Sequence, residues 1–124
     1  MSFMFYTCSN FNCDLSQWDV SKVKNMYGMF AFCEKFKGDG LENWEVNKVQ
    51  NMNSLFCGCE NFDCNLSNWD VSNVEEMARM FYRCERFKGK GLTNWNPTTI
   101  LTSRRRKNKQ KNISSMFDMC YSIK

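Results

Sequence analysis

Tryptophan falls at Trp18, Trp44, Trp69 and Trp95, at intervals of 26, 25 and 26 residues, and this spacing constrains the chain more than any other feature of it. Around each of the first three the unit reads Leu-x-x-Trp-x-Val-x-x-Val-x-x-Met-x-x-Met-Phe-x-x-Cys-x-x-Phe, with Leu55 replacing the second methionine in one copy. The copies run Leu15–Phe36, Leu41–Phe62 and Leu66–Phe87. Phe5, Phe30, Phe56, Phe81 and Phe117 occupy one position of the unit, and Cys8, Cys33, Cys59, Cys84 and Cys120 another. A second order lies above the first: Cys8, Cys13, Trp18, Cys33 and Trp44 return at Cys59, Cys64, Trp69, Cys84 and Trp95, 51 residues on. Duplication of a two-unit block accounts for that pairing.

A unit of about 25 residues cannot bury its own apolar face, but units stacked on one another can, so the pattern predicts a solenoid whose stability sums over neighbours. Leu-x-x-Trp-x-Val alternates as a short strand does. Val-x-x-Met-x-x-Met-Phe-x-x-Cys has the spacings of three and four that suit a turn or two of helix, and Asp19-Val20-Ser21 and Asp70-Val71-Ser72 stand where an Asp or Ser would cap it. The expected fold is therefore an α/β repeat solenoid, leucine-rich-repeat-like, with one short parallel strand and one short helical segment per turn. Residues 1–124 would form a single domain of about four to five turns, with 101–112 looped out and 113–124 a last partial copy. Met1 aligns with Met26, so the chain starts inside a unit, and its N-terminal face is expected to self-associate.

The segments Asp14-Leu-Ser-Gln-Trp-Asp-Val-Ser-Lys-Val-Lys-Asn-Met and Asn65-Leu-Ser-Asn-Trp-Asp-Val-Ser-Asn-Val-Glu-Glu-Met, each running on into Met-Phe-x-x-Cys, resemble the leucine-rich-repeat-like units of BspA-type surface proteins, in the branch known from mycoplasma lipoproteins and found also in protists and large DNA viruses. The resemblance covers nearly the whole chain outside residues 101–112. It implies a binding solenoid with no catalytic residues to carry over. Met1-Ser2-Phe3-Met4-Phe5-Tyr6 shows neither a basic stretch nor a long apolar one, in contrast to a secreted lipoprotein, so an intracellular setting is expected for this chain.

Residue chemistry narrows the function classes. The chain has no histidine, which removes Ser-His-Asp and Cys-His catalysis and His-bearing zinc sites. Asp19, Glu42, Glu45 and Asp70 are the carboxylates nearest to an acid/base pair, but they return once per copy, as turn residues do and a catalytic pair does not. No enzyme and no cofactor is expected. The cysteine position reads first as core filling, because free cysteine behaves as a small hydrophobe. Disulfides between neighbouring rungs about 4.8 Å apart are a second reading, opposed by side chains that point the same way. A metal held by Cys57, Cys59 and Cys64 is a third, with a spacing that matches no standard zinc knuckle. Met26, Met29, Met52, Met77, Met80 and Met116 keep a fixed register with phenylalanine and read as core. The sequons Asn65-Leu66-Ser67 and Asn112-Ile113-Ser114 matter only to a secreted chain.

Two surfaces remain for a partner. Ser16, Gln17, Glu42, Asn43, Ser67, Asn68, Thr93 and Asn94 are the polar pair inside each Leu-x-x-Trp, and they form the expected face for a protein partner. The other surface is the insert. Ile100 matches Val23 and Ile113 matches Met26, so two residues have become twelve, and they carry Arg104, Arg105, Arg106, Lys107, Lys109 and Lys111 with no acid. These hold six of the 17 cations, leaving 11 against 13 anions elsewhere, so the whole excess behind the net charge of +4 sits there. Such a loop offers contacts to nucleic-acid phosphates or a nuclear address, although no aromatic residues interleave for base stacking. Replacing all six cations with Ser or Gln is expected to abolish any salt-sensitive retention on immobilised DNA or RNA; retention that survives would exclude the insert as the contact.

Overall fold

A computed structural model describes residues 1–95 of the protein, and the sequence-based expectations for 96–124, including the insert, Phe117 and Cys120, lie outside the described residues. Within 1–95 the chain turns almost continuously. Leu15–Trp18, Val20–Val23, Met26–Met29, Phe30–Cys33 and Cys33–Phe36 each close with the last residue's N–H donating to the first residue's carbonyl, at 3.0–3.2 Å. The same five turns recur in the copy that begins at Leu41. Apart from Trp18, which is exposed, and Val23, which is half-buried, the apolar residues at the ends of these turns are buried, and the polar residues between are exposed at Ser16-Gln17, Lys22 and Glu34-Lys35.

This arrangement overturns the expected α/β solenoid. Among the described residues there is one 3-10 turn, Leu92–Asn94, and two isolated parallel bridges, Asn25 with Asn51 and Asn51 with Glu76; there is no α-helix and no sheet. Leu-x-x-Trp-x-Val, read as a strand, is a turn followed by a bend back into the core. Val-x-x-Met-x-x-Met-Phe-x-x-Cys, read as helical, is a run of separate turns. The reason is in the backbone. Gly28 and Phe32 have φ of 60° and 64°, and Ser54, Gly58, Arg79 and Arg83 take the same left-handed conformation at the matching positions. A left-handed residue every few positions stops a right-handed helix from propagating. Asp19 and Asp70 cap no helix: each Oδ1 accepts the backbone N–H two residues on, from Ser21 and Ser72, at 3.0 Å.

Turns this tight satisfy only half of their own amides. From Met26 to Phe32 alternate residues donate instead to the next copy: Met26, Gly28, Phe30 and Phe32 N–H to Asn51, Asn53, Leu55 and Cys57 carbonyls at 2.6–3.0 Å. Met52, Ser54, Phe56 and Gly58 repeat this toward Glu76, Ala78, Met80 and Tyr82 at 2.7–2.9 Å. Behind that ladder runs a column of rings. Phe5, Phe30, Phe56 and Phe81 stack with centroids 5.5–5.8 Å apart, and the first two pairs are nearly parallel at 4° and 5°. Phe36, Phe62 and Phe87 flank the column within their own copies at 4.0–4.5 Å. Trp44, Trp69 and Trp95 close its other side at 6.0–6.1 Å.

Glycine is required where copies approach most closely. At Gly40, φ 90°, a Cβ would collide with Asp14 Oδ1 and the backbone nitrogen of Ser16. Gly91, φ 92°, stands likewise against Ser67 N and Asn65 Oδ1.

Phe56 lies wholly buried at the middle of the ring column, touching rings above, below and beside it. Phe56→Ala is expected to lower the free energy of unfolding by about 3–5 kcal/mol in urea titrations. A loss below 1 kcal/mol would mean that the column contributes little.

Candidate functional site

The polar pair inside each Leu-x-x-Trp turn projects from a base that the tryptophan fixes. Trp44 Nε1–H donates to Leu15 O at 3.0 Å, Trp69 to Leu41 O at 2.7 Å and Trp95 to Leu66 O at 3.3 Å, all buried. Each indole thus ties its own turn to the first carbonyl of the turn one copy back. A fixed spacing between neighbouring turns follows, and grooves open between them.

Two such grooves lie side by side, each of about 350 Å³. The first is lined by Ser16, Asp19, Ser21, Asn43 and Glu45 around the edges of Trp18 and Trp44. The second is lined by Asn43, Glu45, Asn47, Asn68 and Asp70 around Trp44. Asn43 and Glu45 are shared, so the two grooves run on as one shallow channel across three copies. Its electrostatic sign is set by carboxylates. The Ser21 hydroxyl at 2.6 Å and the Ser21 N–H hold Asp19 below the usual carboxylate range, and Ser72 does the same for Asp70. These two acids therefore keep their charge well into mildly acidic solution. Asp14, which lines neither groove, is likewise lowered, by the backbone N–H and then the side chain of Ser16.

The expected partner face divides on inspection. Ser16, Asn43 and Asn68 line the channel. Gln17 and Thr93 are exposed and line neither groove, and Ser67 is half-buried. Glu42 faces a separate depression of about 230 Å³ with Lys37, Asp39, Asp63 and Lys90. The side chain of Asn94 and the six insert cations lie outside the described residues. The acids after the first three tryptophans, Asp19, Glu45 and Asp70, line the channel, whereas the sequence pattern reads them as helix-capping or solvated turn residues. Their signal was visible as an acid following tryptophan in three successive copies.

The cysteines take a different place. Cys33, Cys59 and Cys84 each direct Sγ–H to a phenylalanine carbonyl one copy earlier, Phe5, Phe30 and Phe56, at 2.9 Å. Burial pushes the Cys33 and Cys64 thiols up to about 12 and raises Cys57 and Cys59 as well. Such groups stay protonated and inert as nucleophiles. Cys57, Cys59 and Cys64 do not converge: Cys64 donates to Asn65 O at 3.6 Å, and no three metal-ligating side chains gather among the described residues. Cys8, Cys13, Cys33, Cys57, Cys59 and Cys64 are free thiols.

Stacked tandem turns, an aromatic column and an acidic channel thus characterise the described chain, and no helix among the described residues is long and apolar enough to cross a membrane. A family described as "Mycoplasma protein of unknown function, DUF285" matches residues 1–124, the whole length, and the chain belongs to it. No curated protein matches the chain, and no solved structure does.

Trp44→Phe removes the indole donor from Leu15 O and is expected to cost about 1–3 kcal/mol in denaturant unfolding. Trp18→Phe, whose indole has no carbonyl partner among the described residues, is expected to cost less. Equal losses would show that the indole bonds do not set the spacing of the turns.

Proposed function

We propose that the chain is a noncatalytic protein-binding module, and that the channel across Ser16, Asn43 and Asn68 is the face it presents. The observation that carries this reading is the continuity of the channel: Asn43 and Glu45 line both grooves, so a partner segment laid along it meets the same kind of amide and carboxylate in successive copies. Shallow and mostly polar, such a surface suits an extended macromolecular segment better than a small molecule, which needs a concave, largely apolar pocket. The ionised Asp19 and Asp70 favour a segment carrying Lys or Arg. Equal surroundings in each copy single out no residue for chemistry, which supports a role in binding rather than catalysis. The likeness of Asp14–Met26 and Asn65–Met77 to units of BspA-type surface proteins points the same way, toward recognition at a surface. The basic residues Arg104–Lys111 support a second reading, a nucleic-acid or nuclear adaptor, through their charge alone.

The test is selection of a random-sequence peptide library displayed on phage against the 124-residue chain, followed by binding of the enriched peptides to variants. Enriched peptides are expected to be rich in Lys and Arg. They should lose at least tenfold in affinity with Asn43→Lys, Glu45→Lys and Asn68→Lys combined, three exposed changes that leave the melting temperature in place. Affinity unchanged in that variant, or lost only when the six insert cations are replaced, would remove the channel as the partner face.

A further inference from the structure

Side-chain amides over much of the array are engaged in the fold. Asn51 and Asn65 accept the backbone N–H groups of Asn53 and Ser67 at 2.9 and 3.0 Å, and Asn61 and Asn73 donate to the carbonyls of Glu34 and Asn47 at 2.8 and 2.6 Å. Asn43, Asn47 and Asn68 differ. They line the channel, are exposed, and their side-chain amides make no hydrogen bond among the described residues. The channel's acids have capacity left as well. Both bonds that hold Asp19 end on Oδ1, the Ser72 N–H reaches Oδ1 of Asp70, and the Glu45 carboxylate makes no hydrogen bond among the described residues.

Three free amides offer donors to the carbonyls of an incoming backbone, and the spacing of the acids selects which backbone. Parallel bridges join successive copies at Asn25–Asn51 and Asn51–Glu76, a geometry with about 4.8 Å between neighbours. The offset rings of the column have centroids 5.5–5.8 Å apart. Asp19 and Asp70, two copies apart, therefore stand about 10–11 Å from each other. A polyproline II segment has three residues per turn, so side chains on one face recur about every 9 Å, and the flexible stems of Lys or Arg cover the difference. In an extended strand they recur about every 7 Å, which fits neither one copy nor two. An α-helix presents one about every 5 Å, which fits successive acids, but its carbonyls are bound within the helix and leave the amides without partners. Polyproline II has no internal hydrogen bonds, so its carbonyls remain for Asn43, Asn47 and Asn68.

We infer that the channel holds a polyproline II segment with Lys or Arg at every third position, its cations on Asp19 and Asp70 and its carbonyls on the amides of Asn43 and Asn68. The inference rests on the channel as the partner face and adds the conformation and register of what lies in it. Such a segment is stiff before it binds, so docking it in a shallow groove orders little that was free.

Fluorescence anisotropy of labelled peptides titrated with the 124-residue chain tests this. Four tandem Lys-Pro-Pro triplets are expected to bind about tenfold more tightly than four Lys-Gly-Gly triplets, which keep the spacing without the conformation. They should exceed by a similar factor the same lysines and prolines with the lysines in one block, and an alanine-based helix with lysine once per turn. Asn43→Ala with Asn68→Ala, both exposed, should remove most of the advantage over the helix and leave the melting temperature in place. Equal binding by the four peptides, tightest binding by the helix, or an advantage that survives the double variant would each overturn the inference. If the variant combining Asn43→Lys, Glu45→Lys and Asn68→Lys still weakens binding in those cases, the channel stands as the partner face and only the segment is wrong. Binding that this triple variant leaves unchanged would remove the channel and the inference together, and no binding by any of the peptides would overturn the inference alone.

Discussion

A backbone that reverses every three residues leaves alternate amides facing away from the turns they belong to. In this chain those amides are satisfied by the next copy, and the rest of the structure depends on that transfer. Met26, Gly28, Phe30 and Phe32 have no turn of their own to close; their N–H groups are paired because Asn51, Asn53, Leu55 and Cys57 carbonyls lie one copy further on. Leaving such groups buried without partners would cost about 1–3 kcal/mol each. A single copy is therefore both polar-unsatisfied and apolar-exposed, and stacking removes both penalties in one step.

The ring column and the indole bonds follow from the same spacing. Once the amide ladder sets the distance between copies, Phe5, Phe30, Phe56 and Phe81 fall into stacking range, and each tryptophan comes within reach of a leucine carbonyl one copy back. The cysteine position works similarly. A thiol is small enough to be buried there and polar enough to give each of these phenylalanine carbonyls a second hydrogen bond beside the one from its own turn, which an alanine would not. That role explains why cysteine recurs without bridging Cys33 to Cys59.

Much of this was legible in the sequence, and the part that was not has a physical cause. The buried positions, from Leu15 through Phe36 and their counterparts, were visible because an apolar residue stands at each of them in every copy. The local conformation was not. A spacing of three suits a helix and a run of separate turns alike, and only left-handed residues separate the two. Gly28 and Gly58 hint at them, but Phe32, Ser54, Arg79 and Arg83 adopt the same conformation with side chains that ordinarily avoid it. The channel was half legible: Ser16, Asn43 and Asn68 stood out as polar pairs. Asp19, Glu45 and Asp70 join them only because the chain turns after each tryptophan rather than running on as a strand.

The crowding at Gly28 and Gly58 has a consequence for how such an array grows. The Phe3 ring lies where a Cβ on Gly28 would be, 2.6 Å away, and the Phe32 ring lies 2.5 Å from one on Gly58. An aromatic residue at a turn tip thus needs a glycine at the same tip in the following unit, and the two act as lock and key. Copying the unit of Phe32 directly behind itself would set ring against ring, with no hollow to receive it. Lengthening by single units at that point therefore calls for the ring to swing aside or for the tip residue to change as well.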